Sequence, residues 1–156
     1  DMSAMQYLIE RCAELHLQHI AGKDPFETGS SRPLDFGHWS AHKREQLTNF
    51  SIRHGEAVAM GIALDTVYSH LEGRLSEKDV LQVIGMIKKL GFEITHPAFE
   101  VIDDKSLLLR GLNEFREHLG GKLTIMLLNA IGKGQEVYEM DTTLLRQASI
   151  WLQKNK

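Results

Sequence analysis

Three of the eight histidines fall within seventeen residues: His38 and His42 stand four apart, and His54 follows twelve later, with Gly55 and Glu56 directly behind it. Positions i and i+4 share one helical face, so His38 and His42 can point into the same cavity from the start of one helix. His54 can join them from a second. Imidazole nitrogens suit zinc and neighbouring divalent metals, and a catalytic site takes about three protein ligands and leaves a position open for water or substrate. Two histidine ligands beside a free histidine, or three histidine ligands, both satisfy this spacing. A lone histidine would be read as a helix-end or core residue; the clustering favours the metal.

The elements that must position these side chains follow from periodicity. Met5, Leu8, Ile9, Cys12, Leu15 and Ile20 recur at helical spacing, so Met2 to Ile20 reads as an amphipathic helix with Gly22 as its stop. Cys12, His16 and His19 lie at i, i+4 and i+7 on it, but a cysteine there reads first as a small buried hydrophobe. His16 remains a residue that can line the main site. Lys23 to Asp35, rich in Pro, Gly, Ser and charge, reads as a loop that delivers Glu27, Arg32 and Asp35 toward the histidines.

A short helix begins near His38 and ends at Thr48-Asn49. From His54 to Leu71 a broad apolar stripe of Ala57, Met60, Gly61, Leu64, Val67, Tyr68 and Leu71, widened by Val58 and Ile62, marks a central buried helix. Ser76 to Asp79 is a capping-box pattern opening a scaffold helix, with Val80, Val83, Ile84, Ile87 and Leu90 inward, Lys88 and Lys89 at its C-terminal end and Gly91 as its stop. A further helix is expected from about Asp104 to Leu119, with Arg110, Arg116 and Lys122 clustered toward its end as solvated charge. Leu123 to Ile131, Gly132-Lys133-Gly134 and the alternating Gln135 to Met140 read as a hairpin, and Asp141 or Thr142 caps a last helix. The fold expected is mainly α, multihelical, with one short hairpin near the C-terminus.

At 156 residues, 42% hydrophobic and 25% charged, the chain has the composition of one globular domain able to bury a core. A net charge of −3 supplies no basic field for nucleic acid, and no apolar run is long enough for a bilayer, so neither partner is expected. One cysteine excludes an internal disulfide, and with no signal-peptide pattern a cytoplasmic location is expected. The chain opens at Asp1 directly into a helical pattern, as expected of a piece of something longer. No phosphate-cradling glycine loop or Ser/Cys nucleophile motif competes with the histidines.

The stretch Leu34-Asp35-Phe36-Gly37-His38, with His42 and then His54-Gly55-Glu56-Ala57-Val58-Ala59, resembles the zinc-site region of the 3-dehydroquinate synthase family of sugar phosphate cyclases. The resemblance extends over the whole chain, matching the helical C-terminal domain of those enzymes. It implies that His38 and His54 are metal ligands and His42 a nearby acid/base residue, with Glu27 and Asp35 lining the site. It also places the third metal ligand, a Glu, and the NAD-binding domain upstream of Asp1, so that the isolated chain is expected to be inert. These enzymes oxidise a substrate hydroxyl with NAD, eliminate phosphate, reduce the ketone and close a carbocycle. The resemblance therefore implies Zn2+ or a similar divalent cation, NAD+, a phosphorylated seven-carbon sugar as substrate, a homodimer when full length, and Arg32, Arg116, Lys122 and His16 as substrate contacts.

Several positions depart from the family pattern. Ser31 stands where the synthases carry Arg, with Arg32 displaced by one; Phe115-Arg116-Glu117 replaces an acidic-Lys-Lys run; and Asp35 replaces a usual Asn. Arg and Lys hold substrate carboxylate and phosphate, so their rearrangement leaves open another sugar phosphate cyclase, of the 2-epi-5-epi-valiolone synthase kind. An iron-type alcohol or glycerol dehydrogenase, which releases no phosphate, and a non-catalytic metal-binding helical module are the remaining alternatives.

Overall fold

The computed structural model describes residues 1–21, 33–101, 105–118 and 123–156. Two compact units divide the chain, Asp1–Arg32 and Pro33–Lys156. In the first, α1 spans Met2–Ile20; Asp1 caps it by accepting the Ser3 N–H at 3.0 Å, and its last turn closes on Ala21, whose N–H donates to Leu17. The expected Gly22 stop and the loop bearing Glu27 and Arg32 lie outside the described residues. Cys12, expected among the buried residues of this helix, is exposed, since among the described residues of its own unit α1 has no second element to cover its apolar residues.

The second unit is built around α3, His54–Leu71, which packs against α2 (His38–Leu47), α4 (Glu77–Lys89), α6 (Thr142–Lys154) and strand β1 (Ile125–Ala130). Its periodicity explains this central place: Ala57, Met60, Ala63, Leu64, Val67 and Tyr68 are all buried, and they face several neighbours at once. The same helix buries Asp65, Thr66 and Ser69, polar residues that the apolar stripe gave no reason to place inside. Tyr68 satisfies its hydroxyl by accepting the Asp141 N–H at 2.8 Å, and Ser69 Oγ accepts the Leu128 N–H at 3.2 Å, tying α3 to α6 and to the hairpin.

The flanking elements follow their caps. Ser76 accepts the Asp79 N–H at the head of α4, whose Val80, Ile84 and Ile87 are buried; Leu90, expected inward, is exposed because the helix has already ended at Lys89. Lys88 reaches across to donate to the Asn155 carbonyl at 3.0 Å. α5 runs Leu107–His118, starting later than periodicity suggested because the Ser106 carbonyl already accepts the Leu109 N–H as its first turn. Leu119, its expected inward end, lies outside the described residues. Asp141 caps α6 by accepting the Thr143 and Leu144 N–H groups.

The hairpin pairs β1 with β2 (Lys133–Val137) antiparallel, with Ile125 opposite Val137 and Leu127 opposite Gln135. Lys133 and Gly134, expected in the turn, instead pair with Ala130 and Leu128, since Gly132 alone supplies the left-handed backbone at φ +80°. The second strand ends at Val137, short of the expected Met140. No helix among the described residues is long and apolar enough to cross a membrane.

Candidate metal and catalytic site

The site is assembled where the N-terminus of α2 meets the N-terminus of α3, and the backbone between and beneath them makes this possible. Gly37, at φ +81°, precedes α2, and its carbonyl lies against Gly61 of α3 so closely that a Cβ on Gly61 would stand 2.0 Å from that oxygen. Only glycines permit this approach. After α2, Thr48 N–H and Phe50 N–H fold back onto Arg44 and Glu45 carbonyls, and Asn49 and Phe50 take left-handed φ values of 50° and 59°. That tight reversal returns the chain to His54 beside His42. Glu56 then accepts the Arg53 N–H at 2.8 Å, fixing the first turn of α3 and with it His54.

The three histidines converge. The His54 ring lies 5.5 Å, centroid to centroid, from both His38 and His42, stacked on His42 at 30° and tilted to His38 at 53°. Glu45, one turn along α2 from His42 and largely shielded, places Oε2 3.1 Å from His54 Nδ1 and 3.3 Å from His42 Nδ1. His38 Nδ1 stands 3.4 Å from the Phe36 carbonyl, in position to donate. Each ring is thus held through Nδ1 and leaves Nε2 for a ligand, the arrangement in which a carboxylate or carbonyl fixes the tautomer of a metal-bound imidazole.

The donor chemistry fits a divalent cation. Among the described residues, His42, Glu45 and His54 form the one group of three or more possible ligands whose atoms all lie within 4.8 Å of each other. His38 is not one of the three; its ring stands 5.5 Å, centroid to centroid, from that of His54. Imidazole nitrogens with one carboxylate suit zinc and its first-row neighbours. Glu45 was missed in the sequence; its spacing of three from His42 on the same helix was the available signal.

Beside His42, a pocket of about 330 Å³ opens between α2 and α5, lined by Trp39, His42, Lys43, Gln46, Gly111, Glu114 and Phe115. Lys43 donates to both Glu114 carboxylate oxygens, at 2.7 and 2.9 Å, so the pocket's one cation and one anion offset each other. Beneath the site lies a buried polar group. Asp65 accepts the Gly37 N–H at 3.1 Å and the Trp39 indole N–H at 2.8 Å, and Arg44 donates to Ser40 at 3.3 Å with its guanidinium 4.6 Å over the Phe99 ring. Burial raises the Asp65 carboxyl to about 7 against the opposing pull of its two donors and of Arg44, while burial lowers Arg44 to about 10.

The other expected site residues are dispersed. Asp35 is half-buried in a short 3-10 turn, Pro33–Asp35, three residues before His38. Arg116 is exposed on α5, donates to Asn113 at 2.6 Å, and faces a separate hollow with Tyr138 and Thr142 instead of the His42 pocket. His16 is exposed on α1, in the other unit. Glu27, Arg32 and Lys122 lie outside the described residues.

Residues 1–110 match the family model described as 3-dehydroquinate synthase C-terminal. A 3-dehydroquinate synthase of Pseudoalteromonas atlantica is 32% identical over 154 aligned residues, covering 94% of this chain and 40% of that protein. Among solved structures, ValA (2-epi-5-epi-valiolone synthase) from Streptomyces hygroscopicus subsp. jinggangensis 5008, with NAD+ and Zn2+ bound, superposes with a TM-score of 0.88 at 23% identity, covering 99% of this chain and 41% of that one. The chain spans about two fifths of the length of these relatives. It belongs to the 3-dehydroquinate synthase family, and corresponds to that family's helical C-terminal domain.

Proposed function

We propose that this chain supplies the metal- and substrate-binding half of a sugar phosphate cyclase of the 3-dehydroquinate synthase type, a phosphate-eliminating carbon–oxygen lyase acting on a phosphorylated seven-carbon sugar with NAD+. The observation that carries this is the convergence of His38, His42 and His54 on one another, with their Nδ1 atoms directed to protein acceptors and their Nε2 atoms free. His38 and His54 would hold Zn2+, with Glu45 orienting His54, and the ion would supply Lewis-acid polarisation of a substrate oxygen. NAD+, held outside these 156 residues, would supply the hydride chemistry.

The chain's own residues do the rest. His42, the more exposed of the pair that shares Glu45, moves a proton at Nε2 while its Nδ1 stays on the carboxylate. Trp39 and Phe115 line the pocket that receives the part of the substrate away from the metal. By the family resemblance alone, Glu27 and Asp35 are assigned to the site and Arg32, Lys122 and His16 to the phosphate and sugar oxygens, whereas Arg116, which faces the separate hollow with Tyr138 and Thr142, is not. Among the described residues lining the pocket beside His42, Lys43 is the one Lys or Arg, and Glu114 holds it.

Phosphate release by the full-length protein, with NAD+ and zinc or cobalt, from a panel of seven-carbon sugar phosphates tests this. Release from a neutral heptulose phosphate or from the heptulosonate, slowed roughly 10²–10⁴-fold by His42→Ala, is expected. Release from none of them, with metal and NAD+ bound, favours the dehydrogenase or non-catalytic alternatives.

A further inference from the structure

His38 is bracketed. The residue before it, Gly37, and the residue after it, Trp39, both donate to the same side chain, the carboxylate of Asp65, at 3.1 and 2.8 Å. Asp65 is fully buried, as is Trp39. A buried carboxylate is costly, and apolar side chains would fill a helix–helix seam at less expense. Asp65 nevertheless takes two donors from the first turn of the helix that carries His38.

Geometry gives the arrangement a purpose. Asp65 sits three turns along α3 from His54, on the same rigid element. The Gly37–Gly61 approach sets how closely α2 lies on α3, but a backbone contact between two glycines carries no directional bond to fix the turn between them. Two hydrogen bonds diverging from one carboxylate, one to backbone and one to an indole ring, fix both position and rotation of the turn between them. We propose that Asp65 is the positioning residue of the histidine site, holding His38 at its distance from His54 through Gly37 and Trp39. This rests on the metal-site reading given above for its functional meaning. Asp65 touches neither metal nor substrate.

The test compares zinc affinity, by chelator competition, and the imidazole NMR signals of the zinc-free protein, in the full-length wild type and its variants. Asp65→Asn keeps the side-chain shape and one acceptor for the indole but turns a donor toward the Gly37 N–H. It should weaken zinc binding by roughly 10–100-fold, the range for groups that orient a ligand. In the zinc-free variant the His38 signals should move while those of His70, anchored on the Leu75 carbonyl at 2.8 Å, stay in place.

Trp39→Phe removes the indole donor, along with part of a buried ring, and should weaken binding by roughly 2–10-fold; it carries the test should Asp65→Asn fail to fold. Ile84→Ala, a core truncation in α4, serves as the control for lost stability and should leave zinc affinity unchanged. The positioning role is overturned if the folded Asp65 or Trp39 variants bind zinc as the wild type does, or if Ile84→Ala weakens binding as much at equal loss of melting temperature. His38→Ala separates the two readings: zinc lost there but retained in Asp65→Asn rejects only the positioning role, whereas zinc retained in His38→Ala rejects the metal-site reading beneath it.

Discussion

His54 Nδ1 donates to Glu45 Oε2 at 3.1 Å, joining the first residue of α3 to the third turn of α2 across the reversal that separates them. The same oxygen lies 3.3 Å from His42 Nδ1, so one carboxylate aims two imidazoles. Glu45→Ala should therefore weaken zinc binding by about 10–100-fold and disturb both rings, while Glu45→Gln, which retains an acceptor, should lose less. Chelator competition on the full-length variants reads the difference; equal losses in both would argue that Glu45 is itself a ligand.

The Gly37–Gly61 contact should tolerate no side chain. A Cβ at position 61 would stand 2.0 Å from the Gly37 carbonyl and 3.0 Å from Ser40 Oγ, both held by their own helix. Gly61→Ala should cost at least the 1–3 kcal/mol typical of overpacking and should also weaken zinc binding, because it separates the two helices that carry the ligands. Urea unfolding and zinc titration together check this; a stable variant with intact zinc affinity would contradict the close approach. Gly85→Ala, where nothing lies near the added methyl, is the matched control.

Much of this was legible in the chain itself. The spacing of His38, His42 and His54 pointed to three rings that the fold brings together, and the limits of α2, α3 and α6 followed from caps and apolar periodicity. What remained hidden was polar. Asp65 is the one charged residue between Glu56 and His70, set inside an apolar run, and periodicity weighs such a residue as noise in the stripe. Arg44 belongs to a helix so polar that nothing marked its buried face, which depends on Phe99 and Asp65 arriving from elsewhere. The hairpin's turn was misplaced by two residues because three consecutive turn-forming residues, Gly132-Lys133-Gly134, do not reveal which one adopts the left-handed backbone.

Phe50 is left-handed at φ 59° and strongly exposed, so its ring contributes no burial to offset the backbone cost. That conformation costs about 1–2 kcal/mol for a non-glycine residue, against about 0.5–1 kcal/mol of chain entropy for glycine. Phe50→Gly should leave the protein as stable or stabilise it by up to about 1 kcal/mol, with zinc affinity unchanged, as measured by urea unfolding and titration. A clear loss would mean that the ring has a role in positioning the turn.

Asp65 also gives stability a pH dependence. Its carboxyl is raised by burial to about 7 in the folded protein, against about 3.9 in an unfolded chain, so between these values the folded state binds the extra proton. Its contribution is fully present below about pH 4 and is lost as pH rises toward 7. The wild type should therefore lose stability relative to Asp65→Asn across pH 4–7, by a few kcal/mol at most, and run parallel to it above. Parallel profiles throughout the window would contradict the shift.

In the proposed site His38 and His54 hold the metal and His42 does not. Zinc stoichiometry of the full-length protein and its single alanine variants separates these roles. About one zinc per chain is expected in the wild type and in His42→Ala, and none retained after dialysis in His38→Ala or His54→Ala. Full zinc in both ligand variants, or its loss from His42→Ala with retention in His38→Ala, would contradict it.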